Sequence, residues 1–156
     1  MSYKTEIITP FVGTDSFRLG EDITAIRTRL KEAKIKYTQR VESNKGCQSE
    51  VPWTFLEVDN CVTLCFVKDI LFEIVFGKGY QGKLANGAFI GMKMSELVKL
   101  DNSVFYNEDD EDYISKQGYW VVDELDTNCV EEITVFLPEV EQPDFFEYSW
   151  IVKYSK

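Results

Sequence analysis

The sequence contains no histidine and no long hydrophobic run. Histidine is the commonest general base in enzymes, so its absence excludes Ser-His and Cys-His nucleophile pairs and the HExxH type of zinc site. No segment approaches the ~20 apolar residues that a membrane-spanning helix needs, and the N-terminus lacks the apolar stretch of a signal peptide. We therefore expect a soluble cytoplasmic protein that is not an enzyme and has no catalytic residues.

Cysteines are few, at positions 47, 61, 65 and 129, and none of them forms a CxxC pair. In a strand the spacing of Cys61 and Cys65 places both thiols on one face, as expected for core packing.

The acidic run 107–112 lacks the ligand spacing of an EF-hand and is interpreted as a solvated loop. Segment 77–83 lacks the Gly-Lys-Ser/Thr of a phosphate-binding loop. The sequence therefore predicts free thiols, no metal and no cofactor.

Basic residues are almost absent from residues 101–147, where Lys116 alone accompanies 15 acidic residues. This stretch carries a net charge of −14, and the whole chain carries −10. A negative field repels nucleic-acid phosphates and anionic lipid headgroups, so we expect no binding to nucleic acid or membrane. The field favours a basic protein partner, although an acidic composition also raises solubility without any partner.

The chain of 156 residues has the usual length of one domain, and 44% of its residues are hydrophobic. A chain of this length buries roughly 70% of the surface that its unfolded form exposes, which is enough for a substantial core. No linker or low-complexity tract divides it. We therefore predict a single domain over 1–156, with internal halves at about 1–79 and 80–156.

Apolar residues at three- and four-residue intervals predict a helix over 22–34. Ile23, Ile26 and Leu30 share one face of this helix, and Asp22 precedes them as an N-cap. A shorter second helix is predicted over 94–100. Segments rich in β-branched and aromatic residues predict antiparallel strands. These strands are 3–12, as an opening strand or extended arm, then 35–42, 53–58, 62–67, 70–76, 117–124, 132–137 and 144–154, with a turn at 43–46.

Two segments of the chain resemble each other at a distance of 71 residues. Leu19-Gly20 aligns with Ile90-Gly91, and Ile26 aligns with Leu97. A period longer than about 50 residues is typical of duplicated supersecondary units. We predict an α+β fold in which two similar helix-plus-antiparallel-strand units form one mostly β, twisted-sheet domain. Chance similarity between short apolar strings is the alternative interpretation.

Aromatic residues flank the acidic run and complete a candidate surface for partner binding. Aromatic side chains are rigid anchors in protein interfaces, and surrounding carboxylates accelerate the encounter with a basic partner. Tyr106 and Tyr113, on either side of the run, are the best candidates for exposure. The candidate partner-binding residues are Tyr106, Glu108, Asp109, Asp110, Glu111, Asp112 and Tyr113.

The string Leu19-Gly20-Glu21-Asp22-Ile23-Thr24-Ala25-Ile26, and more loosely residues 90–97, resembles a helix opening found in many small bacterial α+β proteins. The pattern is aliphatic-Gly-x-(Ser/Thr/Asp)-x-x-x-aliphatic, and Lys93 departs from it where a capping side chain is expected. It covers about 20 residues of this chain and carries no active site. Immunity proteins of bacterial toxin–immunity pairs are among the proteins that it resembles.

The resemblance and the acidic, histidine-free composition imply an immunity protein that neutralises a cognate toxin, such as a nuclease, by masking its basic face. The alternative is a small-ligand-binding or regulatory domain that uses a cavity between the two halves. An enzyme that relies on carboxylates alone is a third hypothesis.

Overall fold

The computed structural model describes residues 2–43 and 51–155. Two α-helices lie in these ranges, α1 (Ile23–Glu32) and α2 (Met94–Leu100). The strands are β1 (Tyr37–Glu42), β2 (Trp53–Val58), β3 (Val62–Val67), β4 (Ile70–Phe76), β5 (Phe105–Asn107), β6 (Asp112–Ser115), β7 (Tyr119–Glu124) and β8 (Cys129–Phe136). In the part of the chain described, no helix is long and apolar enough to cross a membrane.

All eight strands form one sheet in the order β1-β2-β3-β4-β8-β7-β6-β5. Every neighbouring pair is antiparallel, and the pairing of β4 with β8, with Val75 opposite Thr134, lies at the centre. Helix α1 precedes β1–β4 in the chain, and α2 precedes β5–β8. The predicted α+β class with a predominance of sheet is therefore confirmed.

Local sequence explains where the helices begin. The Asp22 carboxylate accepts a hydrogen bond from the Thr24 amide over 2.8 Å and so caps α1. The opening of α2 has no such cap, because Lys93 stands at that position and makes no side-chain cap bond. Helix α1 ends at Glu32, two residues before the predicted end, and α2 has the predicted bounds.

Each helix opening is attached to the sheet by a pair of backbone hydrogen bonds. In both cases a glycine with positive φ, +93° at Gly20 and +95° at Gly91, turns the chain just before the helix. The four bonds are Gly20 N to Leu71 O at 2.8 Å, Leu71 N to Glu21 O at 2.9 Å, Gly91 N to Val130 O at 2.8 Å and Val130 N to Met92 O at 2.7 Å.

The sheet buries apolar residues on both faces. We call the side that packs against α1, α2 and the N-terminal segment the helix face. It contains the main core, which includes Ile26, Leu64, Ile74, Leu97 and Ile133. On the other side, the cap face, the C-terminal residues cover part of the sheet with a second cluster that includes Cys65, Phe72, Leu137, Phe145 and Tyr148.

The predicted C-terminal strand over 144–154 is wrong. Phe145–Glu147 and Ser149–Lys153 are 3-10 helices, and Tyr148 between them has a φ of 56°. The Trp150 indole donates a hydrogen bond to the Phe145 carbonyl over 2.9 Å. This tight local winding lets closely spaced aromatic rings all face the cap-face cluster, which an extended strand with alternating faces does not allow.

The predicted opening strand over 3–12 is also wrong. Tyr3–Thr5 is a 3-10 helix, and the following residues form only isolated bridges, between Ile8 and Leu84 and between Thr9 and Gly13. The chain turns around Pro10, where the Gly13 amide donates to the Thr9 carbonyl over 2.9 Å. Proline has no amide hydrogen and so does not continue a strand ladder here.

Several strand boundaries differ from the predicted ones. β1 begins at Tyr37 rather than at residue 35, and β8 begins at Cys129 rather than at 132. The short strands β5 and β6 were not predicted. The predicted turn at 43–46 lies, apart from residue 43, outside the described residues.

The placement of Cys61 and Cys65 on one face is wrong as well. Cys61 lies in the turn before β3, where strand alternation does not apply, and it joins the helix-face core. Cys65 lies within β3 and faces the cap-face cluster. Both thiols are free and buried.

Candidate functional site

The acidic run 107–112 forms the tip of a β-hairpin at one edge of the sheet. Tyr106 in β5 lies opposite Tyr113 in β6, and Asn107 lies opposite Asp112. The Asn107 side chain organises the turn, since it accepts a hydrogen bond from the Asp109 amide and donates one to Asp110, each over 3.1 Å. The interpretation as a solvated loop therefore holds for residues 108–111, whose side chains are exposed, and is wrong for the two strand ends.

Tyr106 and Tyr113 pack against each other and form one wall of a groove. Their ring centroids are 5.1 Å apart, and Tyr106 is 47% exposed. Glu111, Val122, Asp123 and Leu125 complete the groove, which has a volume of about 490 Å³. Leu125, with 89% of its surface exposed, is the most exposed large apolar residue in the described ranges. We call this site the hairpin groove.

Charge within the hairpin groove is negative. Burial, the carboxylate of Asp123 and the neighbouring Tyr106 all raise the pKa of Tyr113, so this phenol stays neutral at physiological pH. The groove therefore combines neutral aromatic surface with the carboxylates of Glu111 and Asp123, a combination that suits a cationic side chain.

Asp112 lies apart from the other predicted residues. Adjacent strand residues point to opposite faces, so Asp112 faces away from Tyr106 and Tyr113. It is half-buried, and its Oδ1 atom accepts no hydrogen bond from any described residue. Burial, and then the negative charge of Asp110, raise the pKa of Asp112 to about 6. Of the seven predicted residues, the structure brings together Tyr106, Glu111 and Tyr113, and the exposed side chains of residues 108–110 lie beside them.

The ion pairs between described residues are confined to the first half of the molecule. All five that occur within residues 2–43 and 51–155 join residues between Lys4 and Asp59. Within the same ranges, none of the 15 acidic residues of 101–147 lies within 4.0 Å of a lysine or arginine nitrogen. The negative charge of the second half is therefore not neutralised by cations of the described chain.

A second groove, of about 440 Å³, lies between the two halves. Residues of β2, β3 and β4 line one side, and residues of β7 and β8 line the other. Its charged residues are Glu57, Lys78, Glu124, Glu131 and Glu132. Burial, and then the charge of Glu131, raise the pKa of Glu132 above its ordinary value.

Comparison with protein-family models, with curated proteins and with solved structures finds no match to this chain. Among the described residues, no three cysteine, aspartate or glutamate side chains are arranged to hold a metal ion.

Val122, Asp123 and Leu125 belong to the hairpin groove but were not predicted as site residues. They reach it because β7 pairs with β6, which aligns Val121 with Tyr113. The predicted strand 117–124 was the one sequence signal for them. It follows the acidic run so closely that it could form a hairpin with a strand at the end of that run. The sequence does not predict β6, so the pairing of β6 with β7 does not follow from it.

Proposed function

We propose that the chain is a non-enzymatic protein-binding module, an immunity protein that neutralises a cognate toxin by covering a basic face of that toxin. The observation that carries the proposal is the absence of partner cations around the 15 acidic residues of 101–147 within the described chain. Carboxylates that are not paired internally retain their long-range field, which accelerates association with a basic protein.

The hairpin groove supplies the short-range part of this binding surface. Tyr106 and Leu125 expose apolar surface, and the half-buried Tyr113 packs against Tyr106. Exposed aromatic residues in a concave site are typical interface anchors. The carboxylates of residues 108–111 surround them and orient an approaching cationic surface. A nuclease is the proposed class of toxin, because an enzyme that binds nucleic-acid phosphates needs a basic face. The proposed site of action is the cytoplasm.

We also propose that residues 1–79 and 80–156 are two similar units. The hydrogen bonds of Gly20 and Gly91 to the sheet support this relation, since each helix opening pairs with the start of the last strand of its half. The strand order supports it too, because β4 and β8 occupy equivalent places on either side of the centre.

A second candidate function is a small-ligand-binding or regulatory domain. The groove of about 440 Å³ between the halves favours it, because residues of both halves line that groove. Replacing Glu124 and Glu131 by glutamine distinguishes the two candidates. This change alters the groove between the halves but leaves the hairpin groove intact, so partner binding persists if the first proposal is correct.

The proposal is tested by isolating the partner and measuring its inhibition. Tagged protein is used to capture a basic partner from the native host, and the purified partner is assayed for toxicity or nuclease activity with and without the wild-type chain. We expect stoichiometric inhibition. A variant with Glu108, Asp109 and Asp110 changed to lysine should inhibit poorly.

The matched control changes Asp15, Glu32 and Glu96 to lysine. This alters the net charge by the same amount at exposed positions outside residues 101–147. Equal inhibition by both lysine variants and the wild type contradicts the proposal.

A further inference from the structure

A cleft of about 810 Å³ lies between α1 and the sheet edge formed by β1, far from the hairpin groove in strand order. Ile35 and Tyr37 form its apolar part, and both are half-buried. Arg27, Lys31 and Lys36 place three cationic side chains around it. Its volume falls within the range of ~300–1,000 Å³ that is typical of small-molecule sites.

The carboxylates that line this cleft are engaged with other residues. Glu57 Oε1 lies 3.7 Å from Arg40 Nη2. Asp59 Oδ2 lies 3.9 Å from Lys4 Nζ and accepts a hydrogen bond from the Tyr3 hydroxyl over 3.2 Å. By contrast, no carboxylate of the described ranges lies within 4.0 Å of the three lining cations. The cleft is therefore a concentration of unpaired positive charge in a chain whose net charge is −10.

The arginine of the cleft is held in place. Arg27 Nη2 donates a hydrogen bond to Gln39 Oε1 in β1, which restrains the guanidinium. Its other N–H groups donate to no described residue, and a guanidinium has five such donors. Lys31 lies one helical turn after Arg27 on the same face of α1, so both side chains reach the same space.

We propose that this cleft binds a phosphate ester of nucleotide size, with the phosphate oxygens on Arg27, Lys31 and Lys36 and the flat ring against Ile35 and Tyr37. Three cationic side chains that line one cleft suit a compact, doubly charged phosphate better than the dispersed single charges of an acidic peptide. The site lies at the β1 edge of the sheet and the hairpin groove at the β5 edge, so this inference does not depend on the proposed toxin binding.

Isothermal titration calorimetry at low salt tests the proposal, with adenosine 5′-monophosphate as the probe. We expect saturable binding at one site, with adenosine and inorganic phosphate each binding at least tenfold more weakly. The double variant K31Q/K36Q should bind the probe at least tenfold more weakly than the wild type. The matched control K68Q/K93Q removes two exposed lysines elsewhere and should bind like the wild type.

Four results would overturn the proposal. They are no saturation at about 10 mM probe, equal affinity in K31Q/K36Q and the wild type, inorganic phosphate binding as tightly as the nucleotide, and tighter binding of an oligoglutamate peptide than of the nucleotide. Circular dichroism of each variant checks that the fold is retained. The altered lysines are exposed, so we expect no loss of structure.

Discussion

Tyr119 donates its hydroxyl hydrogen to the Oδ2 atom of Asp101 over 2.6 Å, deep inside the second half of the molecule. Ser115 donates to the same oxygen over 2.5 Å, and Ser103 donates to Oδ1 over 2.7 Å. Asp101 follows the last residue of α2, so these bonds connect the end of that helix to β6 and β7. Burial opposes the charged form, but the hydrogen bonds outweigh it and lower the pKa of Asp101.

Removing one donor from this buried carboxylate should destabilise the fold. We expect Tyr119→Phe to lower the free energy of unfolding by about 1.5–3 kcal/mol, the range for hydrogen bonds to charged groups. Urea denaturation at pH 7 measures the change, and Tyr106→Phe is the control because the Tyr106 side chain is 47% exposed. Equal stability of both variants would show that the Asp101 bonds contribute nothing net.

The same network predicts a dependence on pH. The pKa of Asp101 is lower in the folded than in the unfolded state, so its stabilising contribution is present above the unfolded value of ~4 and is lost as the pH falls. We expect the stability difference between the wild type and Asp101→Asn to be largest near pH 7 and to shrink below about pH 4. A difference that stays constant from pH 7 to pH 3 contradicts this expectation.

The C-terminal cap should contribute strongly to stability. Phe145 is buried, with its ring centroid 5.6 Å from that of Phe72 in β4, and the neighbouring Tyr148 accepts a hydrogen bond from the Trp53 indole over 2.9 Å. We expect Phe145→Ala to lower the free energy of unfolding by about 3–5 kcal/mol. Val152→Ala, at a position that is 80% exposed, should change it by less than about 0.5 kcal/mol. Similar effects of the two substitutions in thermal or chemical denaturation would contradict the packing role.

The central strands could be predicted from sequence because local signals agree there. β2, β3 and β4 have the predicted bounds, since short polar turns separate runs of β-branched and aromatic residues. The C-terminal segment has the same composition but folds as 3-10 helix. Its aromatic rings pack on one side of the segment, against Trp53 and Phe72. Trp53 and Phe72 are too distant in the chain for a local sequence pattern to reveal this contact.

The candidate site could be predicted only in part, because local sequence indicates composition but not strand pairing. Composition alone indicated Tyr106 and Tyr113 beside an acidic turn, and the structure pairs them across a hairpin. The position of Asp112 on the opposite face depends on strand register, which the acidic run does not encode because it has no hydrophobic alternation. Leu125 enters the groove only through the pairing of β6 with β7.

Glu73 should make stability fall as the pH rises. It lies in β4 opposite Cys65 and Phe136. Burial raises the pKa of Glu73 to about 7, and the charges of Asp112 and Glu132 add to this effect. A hydrogen bond from the Cys65 thiol acts in the opposite direction and lowers the pKa. Because the folded pKa exceeds the unfolded one, the folded state binds the proton more tightly, so stability declines between about pH 4.5 and pH 7.

Replacing Glu73 by glutamine should therefore stabilise the protein at high pH. We expect this substitution to raise the free energy of unfolding by about 1–2 kcal/mol at pH 8 and to change it little near pH 4.5. The gain is no larger because the half-buried side chain keeps some contact with solvent, which reduces the cost of charging it. Glu131→Gln, at an exposed position of β8, is the control. Urea denaturation at both pH values measures the effect. A stabilisation of equal size at the two pH values would show that charge on Glu73 is not its cause.

The hairpin groove should govern the kinetics of partner binding in two separable ways. Carboxylates at residues 108–110 act at long range, so changing them to lysine should slow association with the basic partner by about tenfold or more. Tyr106 and Tyr113 act after contact, so Tyr106→Ala should raise the dissociation rate by an amount equivalent to about 1–3 kcal/mol. Surface plasmon resonance over a salt series measures both rates, with Val41→Ala, at a 58% exposed position of the opposite sheet edge, as the control. Because the Debye length falls to ~10 Å at about 0.1 M salt, wild-type association should slow steeply through that range. Salt-independent association, together with full affinity of the lysine variant, would place the interface elsewhere on the molecule.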